Sequence, residues 1–400
     1  MRVLLIKLHE PRAPGMKVTC VPPLGLWAIR STIYNLYPEW QVDVIDMHLG
    51  DDLPLQREYD LVGISAQFST QDREYRATTA KVAARWPDAR IIAGGFHAAV
   101  SPKPAPDVEI VVGSGEAYFS RNPSEWWMPR FGIDEVARYW SLGAPHDLQS
   151  QSRKWIPLET SRGCGRRCGY CGVRSFWGDW SAFDRAPLEN HLGYLVANMG
   201  VEEVFLEDDN VAWNQAHLEG VVALLEKYGL KWSTPNGIDV RGMLPVLPSF
   251  KASGCWRLSL PFETGSAHTA QVMGLGKKFH PFEEALEVVK RVSGEGIATC
   301  GFFIIGYPGE TVGDIERTLE YANALPLDQR NIYIATPYPG TRLYDVCLRN
   351  GYLRYKPPEL YDRLTYTQGL IDTPEWTGEQ LVEIRRRDRD AALARKAASA

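Results

Sequence analysis

The segment TSRGCGRRCGYCGVRSFWG, residues 160–178, places Cys164, Cys168 and Cys171 within eight positions. A structural zinc site wants four ligands, usually as two pairs. No fourth ligand stands nearby, and the nearest histidine downstream, His191, lies 20 residues beyond Cys171. A disulfide would leave one thiol over, and a redox Cys-x-x-Cys would not need Cys164. Three thiolates from one loop suit an iron–sulfur cubane, because soft sulfur ligands select such centres. Three thiolates would hold three irons and leave the fourth open, which makes that iron a binding position rather than a simple electron relay. Gly163, Gly165 and Gly169 let the loop wrap closely around the cluster.

Around this loop the chain alternates strand and helix patterns. From residue 155 onward, WIPLETS, EEVFLED, KWSTPNG, WRLSLPF, IATCGFFIIG and QRNIYIATP read as strands. HLGYLVANMG, LEGVVALLEKYG, PFEEALEVVKRVSGEG and TVGDIERTLEYANAL read as the intervening helices. Six such units predict a parallel partial (β/α)6 barrel over 155–345, with its chemistry on the carboxyl-end loops. The remainder, 346–400, is expected as a short helical extension whose arginine cluster is a solvated face.

Upstream, RVLLIKL, QVDVIDM, DLVGISA, ARIIAGG and VEIVVGS are short, β-branched runs. LGLWAIRSTIYNLYP and REYRATTAKVAARWP between them carry helical spacing and stop at proline. This alternation predicts a doubly wound parallel sheet over about 1–125, with ligands in the loops beyond the strand ends. Those loops are rich in glycine and small residues, which lets a flat, bulky ligand approach the backbone. Residues 126–154 show no clear period and are expected as the connection between the two domains.

Across 400 residues the net charge is −5, with 44% hydrophobic and 23% charged residues. That balance gives no sign of nucleic acid as a partner. The opening MRVLLIKLHEPR is strand-length, and no run of apolar residues is long enough to span a bilayer, so a cytoplasmic protein without a membrane partner is expected. Seven cysteines, an odd number, argue against a disulfide framework.

Cys164-x3-Cys168-x2-Cys171, with Tyr170 before the last cysteine, resembles the signature of the radical S-adenosylmethionine (SAM) superfamily. The resemblance implies a [4Fe-4S] cluster whose open iron binds the amino and carboxylate groups of SAM. Reductive cleavage then yields methionine and a 5′-deoxyadenosyl radical that abstracts hydrogen from an unactivated carbon. It also implies an electron donor such as flavodoxin or ferredoxin. Further segments extend the likeness: FLEDDN with Asp208 and Asp209, LPFETGS with Glu263, and GFFIIGYPGET with Ile305 and Gly306, as SAM contacts. ATPYPGTRLYD resembles the turn after the sixth strand. Tyr170 and Asn236 complete the expected SAM site.

The first domain resembles the cobalamin-binding domain found ahead of many radical SAM domains, through VPPLGLWAI, DLVGIS, AGGFHAA and VVGSGEA. Carried over onto this chain, the expected cobalamin contacts are Pro23, Gly25, Ser65, Gln67, Phe68, Gly94, Gly95, His97, Gly113, Gly115 and Glu116. DMHLGD approaches the Asp-x-His-x-x-Gly of histidine-ligated cobalamin, but its glycine, Gly50, comes one position early and the segment follows the second strand. It reads as a surface turn. Cobalamin without a histidine ligand from the protein is therefore expected, with Gln67 and Phe68 nearest the lower cobalt face.

Together these resemblances imply a cobalamin-dependent radical SAM methyltransferase acting on an unactivated carbon of a small molecule. A ring-forming or rearranging enzyme with the same cofactors is the alternative. An RNA methylthiotransferase is disfavoured, because its first domain carries three further cysteines where this one has only Cys20. A cobalamin-binding sensor with a vestigial cluster domain is disfavoured by the intact cysteine triad. Trp126, Trp127, Tyr361 and Trp376 are the aromatic candidates for a lid over the substrate.

Overall fold

The computed structural model describes residues 1–9, 20–122, 128–143 and 150–399. Trp126 and Trp127 lie outside them. The chain divides into two compact units interleaved along the sequence. One comprises residues 1–162, 181–207 and 224–231, the other 163–180, 208–223 and 232–400.

The first unit opens with β1 (Arg2–Lys7), α1 (Leu24–Leu36), β2 (Gln41–Asp46), β3 (Leu61–Ser65) and α2 (Asp72–Arg85). β4 (Arg90–Gly94), α3 (Phe96–Val100), β5 (Glu109–Ile110) and α4 (Gly115–Ser120) follow. The sheet order is β2-β1-β3-β4-β5, and every pairing is parallel. Side chains on a strand alternate between faces, and β1 is buried on both. Val3 and Leu5 pack with Leu26, Ile33 and Phe119, whereas Leu4 and Ile6 pack with Tyr75, Val82 and Trp86. A strand apolar on both faces needs helices on both sides, which is the doubly wound arrangement expected. The order reverses between β1 and β3, so the ligand crevice falls where their carboxyl-end loops diverge. The predicted fifth strand is reduced to two paired residues. It lies at the sheet edge, with a partner on one side only, and Val112 beyond it is exposed.

The expected irregular connection contains a helix, α5 (Ile133–Trp140), with strong attachments to the first unit. Arg30 donates to both Glu135 carboxylate oxygens at 2.7 and 3.0 Å, and Phe131 stacks on Trp27 at 4.4 Å. The Tyr139 hydroxyl donates to Asp46 at 2.6 Å, and the Trp140 indole to the Trp155 carbonyl at 2.6 Å. Phe131, Tyr139 and Trp140 therefore serve packing rather than a solvated tether.

Then follow β6 (Trp155–Leu158), β7 (Ser161–Arg162), α6 (Val173–Trp177), β8 (Ser181–Ala182), α7 (Arg185–Met199), β9 (Glu203–Leu206), α8 (Gln215–Lys227) and β10 (Lys231–Thr234). Next come α9 (Val240–Met243), α10 (Leu247–Phe250), β11 (Cys255–Glu263), α11 (Ala267–Met273), α12 (Phe282–Gly294) and β12 (Ala298–Ile305). α13 (Val312–Ala324), β13 (Gln329–Ile334), α14 (Arg342–Asn350) and α15 (Gly378–Ser399) close the chain. The sheet runs β13-β12-β11-β10-β9-β6, the sequential order of an open (β/α)6 barrel, and β7 pairs with β8 as a separate antiparallel ribbon. Among the described residues no helix is long and apolar enough to cross a membrane.

The extension corrects one expectation. Tyr361 belongs to a small buried cluster with Leu360, Leu364 and Leu370. Trp376 is 2% exposed, and its indole donates to the Glu310 carbonyl at 2.9 Å. Both rings are fixed walls rather than mobile lid residues, because moving either would expose large apolar area and strand partners.

Candidate functional site

The cysteine loop is tied down by polar contacts from the barrel's strand-end loops. Asp209, just beyond β9, accepts the Gly163 N–H at 2.9 Å. The Asn210 amide donates to the Cys164 sulfur at 3.6 Å, and the Arg166 N–H reaches the same sulfur at 3.5 Å. The Arg166 guanidinium pairs with Asp239, itself the N-cap of α9. The Gly169 N–H donates to the Met273 carbonyl at 2.7 Å, and the Gly169 carbonyl accepts from Leu343 at 2.7 Å. A Cβ at Gly169 would fall 2.3 Å from the Tyr307 hydroxyl, so a larger residue would push the loop off its seat.

None of the seven cysteines forms a disulfide. Among the described residues, no three His, Cys, Asp or Glu side chains converge on a single metal ion. Three thiols from one loop fit a cluster, which presents a separate iron to each thiolate. Burial raises the Cys168 thiol and pushes Cys171 up to about 12, although Cys171 keeps an accessible edge. Metal binding overrides such shifts by deprotonating a thiol outright. Two buried acceptor-capable atoms beside the loop lack a hydrogen-bond partner, the Asn210 carbonyl oxygen and the Tyr307 hydroxyl. Buried polar atoms are rarely left so, and a polar ligand at the loop would satisfy them.

The expected SAM residues fall into distinct situations. Glu263 ends β11 in the left-handed region, φ +69, and is buried. A non-glycine residue there costs about 1–3 kcal/mol and needs local compensation. Lys278 provides it, donating to Glu263 at 2.6 Å and to the Tyr170 hydroxyl at 3.3 Å. Burial works against the Lys278 charge, yet Glu263 and the Cys168 thiol outweigh it and hold the ammonium above its ordinary range. Burial, then the Glu263 charge, drives the Tyr170 hydroxyl well upward. Asp208 is buried, and Asp209 is already engaged by the loop. Asn236 is exposed in the turn after β10. The Ile305 carbonyl accepts from Ala335 at 2.9 Å, and the Gly306 N–H donates to Glu310 at 2.6 Å. An adenine edge at this position would use the second lone pair of the Ile305 carbonyl or the groups one residue along. Burial raises Glu310 to about 7, against the opposing pull of the Gly306 and Tyr307 N–H groups.

The expected cobalamin residues line the carboxyl edge of the first sheet. Gln71 organises it: its carbonyl oxygen accepts the Gln67 and Phe68 N–H groups at 2.9 and 3.0 Å. Its amide reaches the carbonyls of Leu8 and His9. The next residue, Asp72, holds the Nε2 of His97 at 2.9 Å. His97 is fully buried, and its ring braces the loops through Asp72. Phe68, by contrast, stands 49% exposed. At Gly95, φ +96, a Cβ would lie 2.5 Å from the Ala66 carbonyl oxygen. Gly113 also takes positive φ, Gly25 faces open space, and Pro23 is buried ahead of α1. Glu116 turns inward to Arg162 at 3.1 Å. The Ser69 hydroxyl is buried without a hydrogen-bond partner at this edge. A close-approach glycine cradle with an unsatisfied hydroxyl fits a large planar cofactor. In DMHLGD, Asp46 accepts the His48 N–H at 2.9 Å and Gly50 turns left-handed, so the segment is a capped turn.

Residues 158–322 match the Radical SAM superfamily. The chain is 28% identical over 260 residues to the cytidylyl-2-hydroxyethylphosphonate methyltransferase of Streptomyces wedmorensis, covering 62% of this chain and 48% of that protein. It thus spans about half the length of that relative. It is 24% identical to an uncharacterized methyltransferase of Pyrococcus horikoshii, covering 97% and 91% of the two chains. In fold it resembles the radical SAM methyltransferase TsrM of Kitasatospora setae, with TM-score 0.64, 16% identity and coverage of 89% and 77%. TsrM has been solved with tryptophan and a SAM analogue, and with cobalamin and a [4Fe-4S] cluster.

Lys278 and Asn210 were missed as site residues from sequence. Lys278 is one of a Lys-Lys pair in an unremarkable loop, and only the fold brings it to Glu263. Asn210 stood inside a quoted motif, but nothing in its spacing marked it as a partner of Cys164.

Proposed function

We propose that this protein is a cobalamin-dependent radical SAM methyltransferase that methylates an unactivated carbon of a small molecule, in the cytoplasm. The observation that carries the reading is the three-thiol loop, anchored by Asp209, Asn210 and Asp239 and lacking a local fourth ligand. Cys164, Cys168 and Cys171 would hold the cluster, with one iron left for the amino and carboxylate groups of SAM. Bound together, the cluster, SAM and cobalamin supply radical generation and methyl transfer. The protein's own part is to hold and align them. The Asn210 carbonyl oxygen offers a buried acceptor for an ammonium, Tyr170, Asp208, Glu263 and Asn236 bound the SAM space, and Ile305 and Gly306 offer backbone. Gly94, Gly95 and the Gln67–Phe68 turn would carry the corrin, with no protein histidine as ligand. Small-molecule chemistry is favoured because both the phosphonate enzyme and TsrM act on compounds of that size by their names. A flavodoxin- or ferredoxin-type protein would donate the electrons.

The test is anaerobic purification, reconstitution with iron and sulfide, addition of hydroxocobalamin, desalting and an absorption spectrum. Near-stoichiometric cobalamin bands over broad iron–sulfur absorbance support the proposal. A cluster without cobalamin overturns the methyltransferase assignment.

A further inference from the structure

Lys278 reaches the cysteine loop from a separate part of the chain, and the assignments above leave it without a role in the chemistry. Its ammonium donates to Glu263 at 2.6 Å and to the Tyr170 hydroxyl at 3.3 Å, and sits 5.9 Å from the Tyr170 ring centre. Tyr170 lies between Cys168 and Cys171 in sequence, so the Lys278 charge stands against the loop that carries both thiols. The side chain is largely buried, at 18% exposure, so solvent screens it weakly.

We propose that Lys278 and Glu263 form an opposed charge pair that sets the reduction potential of the cluster, Lys278 raising it and Glu263 lowering it. The inference rests on the reading that Cys164, Cys168 and Cys171 hold a [4Fe-4S] cluster. With three thiolates, the oxidised cluster carries a net charge of about −1, and one electron from a low-potential donor takes it to about −2. A nearby ammonium stabilises the more negative state and a nearby carboxylate opposes it, net local charge being a main determinant of such potentials. A purely structural role, in which Lys278 only relieves the strained Glu263 backbone, has no such sign. Losing either partner would then loosen the same loop in the same way.

The sign makes the pair testable without turnover. Full-length wild type and the variants Lys278→Gln, Glu263→Gln, Lys278→Arg and the double glutamine variant would be reconstituted and assayed for iron and sulfide. Each would then be titrated with dithionite under electron paramagnetic resonance, without SAM. Lys278→Gln should make reduction about tenfold less favourable, a shift of roughly −59 mV for one electron. Glu263→Gln should shift it by a similar amount upward, the double variant should return near wild type, and Lys278→Arg should retain most of the wild-type value. Shifts of the same sign in the two single variants, or potentials that do not move in proteins with full iron, overturn the proposal. If Lys278→Gln fails to fold, the sign of the Glu263→Gln shift decides alone. Wild type that takes up no iron and sulfide overturns the cluster reading itself, a different result from an intact cluster at an unchanged potential.

Discussion

Gly95→Ala is a sharp probe of the first sheet's ligand edge. Gly95 has φ +96 and ψ 164, a region that is essentially glycine-only and costs other residues about 1–3 kcal/mol. The added methyl would also sit 2.5 Å from the Ala66 carbonyl oxygen and 2.8 Å from its carbon. These are backbone atoms held by further bonds: Ala66 N–H donates to Gly94 and its carbonyl accepts from His97. Forced displacement in a packed region costs about 1–3 kcal/mol more. The sum, about 2–6 kcal/mol, is a large part of a typical stability of about 5–15 kcal/mol. Gly25→Ala is the matched control for stability alone, since a Cβ there meets nothing within 4 Å and lies in the first turn of α1. It should be neutral or stabilise the chain by up to about 1 kcal/mol. Urea titration of both variants by circular dichroism, with equilibrium dialysis against hydroxocobalamin, reads the two effects separately. Gly95→Ala should lower the midpoint and weaken cobalamin at least tenfold. An unchanged midpoint in Gly95→Ala would refute the close approach of the β3 and β4 exit loops.

Four further outcomes are expected. Burial lowers His191 to about 4, below its unfolded value near 6.5, so the unfolded chain takes up the proton first as pH falls. Stability should drop between about pH 6.5 and 4 by at most about 3 kcal/mol. His191→Leu should flatten that part of the stability–pH curve, and an identical curve would remove His191 as the cause. Arg162→Met would leave Glu116 buried and Glu159 half-buried without their shared cation, so a loss of about 3–5 kcal/mol in urea titration is expected. Cys168→Ala should lose cluster iron in a ferrozine assay while keeping its far-ultraviolet spectrum, and His48→Ala should leave cobalamin affinity unchanged.

Much of this protein can be read before folding is considered. The strand and helix alternation follows from period: Val3 and Leu5 against Leu4 and Ile6 already state that β1 is covered on both faces. The Cys164, Cys168 and Cys171 spacing specifies its donor set because one loop supplies all three thiols. Such features are local, and local patterns survive in the order of residues. β5 is the counterexample, since its apolar run gives no hint that the sheet ends there with only two residues paired.

What the tertiary structure decided are pairings across long stretches of chain. Asn210 meets Cys164 from 46 residues away, Arg166 meets Asp239 across 73, and Lys278 meets Tyr170 across 108. No periodicity encodes such encounters, because each depends on where two strand-end loops emerge from the sheet rather than on the composition of either. The same holds for His97, whose ring meets Asp72 from 25 residues away. The sequence by itself thus determined which chemistry the loops could perform. Which charges, braces and orphan acceptors surround that chemistry was decided only when the packed sheet brought separate loops to one edge, where burial makes each polar contact costly to leave unmade.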